Sequence, residues 1–149
     1  MTILAAVDEN ERSKQVIEIA HDLATTYDET LAVLHVIPTD DFNEHAKAIR
    51  EIPEFQDFSM SDEVEGAERF ARKFATETIE GMDTSMLDPR GRVGDIADEI
   101  VAEAEAEDPR FLVISGRRRS PTGKALFGNT TQQVLLNVDC PVVTQMEQF

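Results

Sequence analysis

The chain has 149 residues, with 30 Asp or Glu against 14 Lys or Arg, for a formal net charge of −16. That length predicts one domain spanning 1–149, large enough to bury a core without disulfides or metals, and the single cysteine, Cys140, excludes an intramolecular disulfide. Such a charge repels nucleic acid at long range, no apolar run approaches the roughly 18 residues of a membrane span, and residues 1–8 lack the basic stretch of a signal peptide.

The reading is therefore a soluble cytoplasmic chain with neither nucleic acid nor membrane as partner. Only four basic residues are lysines: Lys14, Lys47, Lys73 and Lys124. An acid-rich, lysine-poor surface suits a salt-loaded cytoplasm, where screening weakens self-repulsion, and predicts a halophilic source.

In chain order, residues 2–7 are apolar and end in Asp8-Glu9-Asn10, which reads as a buried strand and a turn. Residues 13–23 carry a helical stripe through Val16, Ile17, Ala20 and Leu23. Residues 30–37 are a second apolar strand closed by Pro38. Residues 39–60 show no clean period and read as a long connection with a short helix over 43–52. A helix follows over 61–80, with Val64, Ala67, Phe70, Ala71 and Phe74 near one face and Gly81 as its stop. Residues 84–93 form a weaker strand interrupted by Pro89, and 94–107 a helix with Ile96, Ala97, Ile100, Val101 and Ala104 inward. Residues 111–115 are a buried strand, 129–138 a helix and 141–146 the last strand. Strands alternating with helices specify a parallel sheet with helices on both faces, and strands without polar alternation fit burial on both sides.

Charge is uneven along this pattern. From Pro109 to Val138 there is no Asp or Glu, while Arg110, Arg117, Arg118, Arg119 and Lys124 lie in that stretch. In open parallel sheets, ligands bind beyond the carboxyl ends of the strands, where strand order reverses. The loops after the first and fourth strands are the candidates. The second has the parts of an anion site: Gly116, Gly123 and Gly128 for close backbone approach, arginines for charge, and Asn129 and Thr130 opening a helix. It is no Walker loop, because Gly123-Lys124 is followed by Ala125. On composition alone, glycines serving turns and arginines lying in solvent explain the loop equally well.

Several segments, in this order, resemble the universal stress protein family along nearly the whole chain. They are Ile3-Leu4-Ala5-Ala6-Val7-Asp8, Ser13 opening the first helix, Leu34-His35-Val36, Gly94-Asp95-Ile96-Ala97-Asp98-Glu99-Ile100 and Phe111-Leu112-Val113-Ile114-Ser115-Gly116. Gly128-Asn129-Thr130-Thr131-Gln132-Gln133-Val134-Leu135 and Cys140-Pro141-Val142-Val143 complete the set. The resemblance implies an α/β single-domain three-layer sandwich: a five-stranded parallel sheet with helices on both faces, Rossmann-like, of the adenine nucleotide alpha hydrolase-like type. It implies ATP or another adenine nucleotide as ligand, with Mg²⁺ accompanying it. Nucleotide-binding members of the family wrap the phosphates with Gly-x2-Gly-x9-Gly followed by Ser or Thr. On this chain that loop maps to Gly116, Arg117, Arg118, Arg119, Ser120, Gly128, Asn129 and Thr130. Asp8 maps to the residue that contacts adenine, and backbone at Val36 to a second adenine contact. The family's last strand pairs in a homodimer, which maps to Val142 to Met146.

The chain departs from that motif. Gly116 and Gly128 are twelve apart, one fewer than the family spacing; an arginine stands near the place of the second glycine, and Asn129 in the place of Ser or Thr. Three adjacent arginines would offset by charge what a lost backbone contact removes.

The function implied is a binding module with a stress-response or regulatory role rather than an enzyme. No base or nucleophile stands beside the loop, which leaves only slow ATP hydrolysis open. The alternative is a dimeric interaction protein with a degenerate phosphate loop that binds no nucleotide. His35, inside an apolar strand, reads as a satisfied core histidine. His21 and His45 lack partners at metal-ligand spacing, and Cys140 reads as a buried thiol.

Overall fold

The computed structural model describes residues 1–117 and 127–147. Five strands, β1 (Thr2–Val7), β2 (Thr30–Ile37), β3 (Leu87–Val93), β4 (Phe111–Arg117) and β5 (Val142–Glu147), form one parallel sheet in the order β3-β2-β1-β4-β5. The helices are α1 (Glu11–Tyr27), α2 (Thr39–Arg50), α3 (Met60–Thr78), α4 (Ile96–Glu107) and α5 (Asn129–Asn137). The three-layer α/β arrangement expected from the alternation is the one found.

Each strand's register places alternate side chains on opposite faces, and both faces are covered. On one side Ile3, Ala5, Leu31 and Val33 pack against Val16, Ile17 and Ala20 of α1 and against Ala71 and Ala75 of α3. On the other, Leu4, Ala32, Leu34 and Leu112 pack against Ala97, Ile100 and Ala104 of α4 and Val134 of α5. Cys140 packs, partly buried, against this second cluster. Burial pushes its thiol up, away from the nucleophilic thiolate.

β3 is an edge strand, where Pro89 can lack an N–H without breaking the interior ladder. Its two faces differ. Arg90 and Arg92 point toward α4, where Arg92 meets Glu103 at 3.1 Å and Glu99 at 3.5 Å. Arg90 is held by Asp88, Glu103 and Glu107. Gly91 faces α3 instead.

Several boundaries differ from the sequence reading. α2 starts at Thr39 rather than 43, because Asp40 and Asp41 favour a helix N-terminus and Phe42 and Ala46 bury one short face. α3 starts at Met60, where the Ser59 N–H donates to Asp62 Oδ2 at 2.9 Å. Residues 84–86 are a 3₁₀ turn capped by Asp83, so β3 begins at Leu87. β4 runs on to Arg117 because β5 pairs with it as far as Glu147.

One contact ties α2 to α3: His45 Nδ1 lies 2.7 Å from Glu63 Oε1, and Glu63 is only 7% exposed. The Glu63 carboxylate beside it raises His45 above its ordinary value; partial burial opposes this, and Asp41 and Glu44 add to it. A raised histidine contributes stability fully below its unfolded value of about 6.5, and loses it as pH rises through the folded value. α2 should therefore exchange its amide hydrogens faster, after correction for intrinsic rates, at about pH 8 than at about pH 6. His45→Gln should abolish the difference. His45 is more than half exposed, so the effect should stay within about 1 kcal/mol.

Candidate functional site

From β1 the chain adds β2 and β3 on one side, then returns to add β4 and β5 on the other. Strand order reverses between β1 and β4, and a cleft of about 440 Å³ opens there, beyond their carboxyl ends. Its floor is apolar: Ala6, Leu34 and Val36 from the sheet, Ile96 and Ile100 from α4. Its rim is polar and comes from the two loops singled out above.

The loop after β1 is held by three short-range bonds. Asn10 caps α1, its side chain accepting from the Ser13 N–H at 3.2 Å. Ser13 is 1% exposed, and its Oγ accepts from the Asp8 N–H at 2.8 Å. Asp8 Oδ1 accepts from the Glu9 N–H at 2.8 Å, which orients the carboxylate at the cleft's edge.

The other rim is the first turn of α5. Thr131 Oγ1 donates to the Ser115 carbonyl at 3.1 Å and fixes this turn to the end of β4. Gly128 occupies the N-cap position and has no side chain to cap with, so the first N–H groups of α5 face the cleft without one. The other four helices all carry carboxylates in their first turns: Glu11, Asp40 and Asp41, Asp62 and Glu63, Asp98 and Glu99. α5 carries none. Among the described α-helices of this acid-rich chain, the one N-terminus left without a carboxylate is the one on the cleft.

Of the residues expected at the site, Asp8, Val36, Gly128, Asn129 and Thr130 line this cleft together. Arg118, Arg119 and Ser120 lie outside the described residues. Arg117 is the last residue of β4, paired in register with Glu147. Gly116 is also within β4, and a Cβ there would come within 2.6 Å of Met146 Sδ and 2.8 Å of Thr144 Cγ2. Close packing of β5 thus accounts for this glycine. Arg110, grouped with the loop arginines by sequence, lies at the opposite end of the sheet. Its Nε and Nη2 bind Glu29 Oε1 at 2.8 and 2.7 Å, and its guanidinium sits 4.4 Å from the Tyr27 ring centre. The pairing lowers the Glu29 carboxyl and raises Arg110.

Asn10 and Ser115, which belong to the two candidate loops, also line the cleft, as does Ile96, which carries no local signal in the sequence. Among the described residues no group of three His, Cys, Asp or Glu is placed to hold a metal, and no helix is long and apolar enough to cross a membrane.

The chain belongs to the universal stress protein family, whose family model matches residues 1–144. Among solved structures it is similar to a universal stress protein from Archaeoglobus fulgidus, at 24% identity over 97% of each chain and a TM-score of 0.62. It is similar also to a universal stress protein in complex with cAMP, at 15% identity over 97% of this chain and 95% of that one, TM-score 0.60. A universal stress protein from A. fulgidus in complex with dAMP matches at 18% identity over 97% and 96%, TM-score 0.57. At these identities the likeness is one of fold. None of the curated proteins matches the chain.

Proposed function

We propose that this chain is an adenine-nucleotide-binding module with a regulatory, stress-response role and no catalytic one. The purine rests on Ala6, Val36 and Ile96 with Asp8 at its edge. The phosphate lies at the first turn of α5, beside Asn129 and Thr130; Gly116, Arg117, Arg118, Arg119 and Ser120 are proposed as further phosphate ligands on the family resemblance. Mg²⁺, where it enters, comes with the phosphates of ATP. The observation that carries this reading is the uncapped, acid-free N-terminus of α5 on a cleft with an apolar floor. The cAMP and dAMP complexes among the structural neighbours support it.

A second reading, an interaction protein that binds no nucleotide, draws on Gly116, whose lack of a side chain is already accounted for by β5. Under either reading β5 joins two copies into a homodimer. It is an edge strand of the sheet among the described residues, carrying Val142, Val143 and Met146. The surplus of carboxylates further fits a halophilic, cytoplasmic setting.

One series of thermal melts tests the set, with ATP, ADP, AMP and ATP–Mg²⁺, each in dilute buffer and in molar KCl. A nucleotide at about 100 times its Kd adds about 2.7 kcal/mol, a rise of about 5–11 °C for a chain this size. No rise with any nucleotide overturns the binding reading in favour of the second. Melting should climb with KCl, and a melting point indifferent to salt removes the halophilic reading. Sedimentation of the same samples should give twice the chain mass, and a monomer there removes the β5 pairing.

A further inference from the structure

Across the ridge formed by Asp8 and Val36 lies a second hollow, of about 350 Å³, on the α3 side of the sheet. Its floor is apolar, built from Ala67 and Phe70, with Val36 at the edge it shares with the cleft. Its rim carries the carboxylates of Asp8, Glu9 and Asp41, and no Lys or Arg lines it among the described residues. His45 reaches the rim, but its charge is matched by Glu63 at 2.7 Å.

His35 makes this hollow more than an acidic rim. It is 8% exposed, and its Nδ1 lies 3.0 Å from the Val7 carbonyl. A carbonyl only accepts, so Nδ1 carries the proton, and in the neutral ring Nε2 holds the lone pair. One face of the ring is packed by Phe70, at 4.2 Å between centres. Nε2 has no hydrogen-bond partner among the described residues. Nor is it sealed: among the described residues the sole side-chain polar atom both sealed and unpartnered is Glu29 Oε2, at the far end of the sheet. With one edge on Val7 and one face on Phe70, the ring meets the hollow through the edge that bears Nε2. An acceptor that opens on a hollow takes a donor there, water in the free chain and a ligand N–H when one is bound.

We infer that this hollow binds a small organic cation, a primary ammonium on a compact apolar or aromatic body. Nε2 accepts one ammonium N–H. The charge is met by Asp8 and Asp41, and the body lies on Ala67 and Phe70. An anion is excluded by the same carboxylates. The site therefore differs in charge preference from the cleft at α5, although the two share Asp8, Val36 and Ile96. The inference does not rest on the nucleotide reading: it requires only Asp8, Asp41 and His35.

The test uses three isosteres with one phenyl body: phenethylammonium, 2-phenylethanol and phenylacetate. Each is titrated at millimolar concentration into the intact chain without nucleotide, and binding is read from the His35 ring resonances. Phenethylammonium should shift them saturably, 2-phenylethanol should bind about tenfold more weakly, and phenylacetate should leave them unmoved. Asp41→Asn, an exposed position, should fold normally and weaken the ammonium about fivefold. Equal binding of the alcohol and the ammonium overturns the inference. So does an ammonium whose shifts spread over the acidic surface while His35 stays still, or an Asp41→Asn variant that binds like the parent. AMP titrated separately and read at the Thr130 amide reports on the nucleotide cleft alone, so the two readings fail independently.

Discussion

Thr130→Glu should abolish nucleotide binding, by more than about 100-fold in affinity or about 2.7 kcal/mol, while leaving the melting temperature unchanged or slightly higher. The two effects have one origin. Thr130 is exposed in the first turn of α5, which has neither a side-chain cap nor a carboxylate of its own. A glutamate there meets the positive end of the helix and stabilises it by about 0.3–1 kcal/mol. The same carboxylate occupies the place proposed for the phosphate and repels it. Thr130→Val separates charge from hydroxyl: it removes a donor without adding charge, and should cost about tenfold or less. Isothermal titration with AMP, alongside melts of the free variants, checks both halves. A glutamate variant that binds AMP as the parent does would remove the phosphate from α5. A glutamate variant that melts well below the parent would give Thr130 a structural role instead.

That substitution can be chosen because the two rims of the cleft were legible before the fold was seen. β1 and β2 are runs of Ile, Leu, Val and Ala bounded by charged or turn residues, so their limits and their parallel pairing follow from burial on both faces. Once the sheet is parallel, the rule of strand reversal brings Asp8, Val36 and the Gly128–Thr130 turn together, although 120 residues separate the first from Gly128. What stayed hidden depends on partners distant in sequence. At Gly116 the requirement for glycine comes also from Met146 and Thr144 of β5, which no local pattern announces. Arg110 reads as part of a basic loop until Glu29 is found beside it at the far end of the sheet. α2 buries little beyond Phe42 and Ala46, too short a stripe to show a period. His35 reads from the sequence as a satisfied core histidine; the Val7 carbonyl satisfies Nδ1 alone, and Nε2 stays open beside Phe70 of α3.

Gly91→Ala should be among the most damaging single-methyl additions, costing about 3 kcal/mol, the upper end of what overpacking a core costs. An added Cβ would lie 2.4 Å from the Val64 carbonyl oxygen, 2.7 Å from Ala67 Cβ and 3.0 Å from the Glu68 N. Two of the three are helix backbone, so no side-chain rotation relieves the clash and α3 itself must lift. α3 rides low on the sheet through Ala67, Ala71 and Ala75, all essentially unexposed, and lifting it separates Ala71 and Ala75 from Leu31, Val33 and Leu87. Gly66→Ala provides the contrast. There the nearest atom to a new Cβ is Arg69 Nη2 at 3.6 Å, ordinary contact, and the position lies inside α3. Replacing a helical glycine by alanine should therefore stabilise by about 0.5–1 kcal/mol. The same chemical change thus has opposite signs at two glycines 25 residues apart, decided by what each Cβ would meet. Ala67→Gly in the Gly91→Ala background should recover only part of the loss, because the Val64 carbonyl remains in the way. Denaturant melts of the four chains check the pattern; a Gly91→Ala variant as stable as the parent would mean that α3 does not sit this close to β3. Because Ala67 and Phe70 also floor the hollow beside His35, the lifted helix should weaken phenethylammonium binding there, while AMP binding at α5, on the opposite face of the sheet, should persist in the folded fraction.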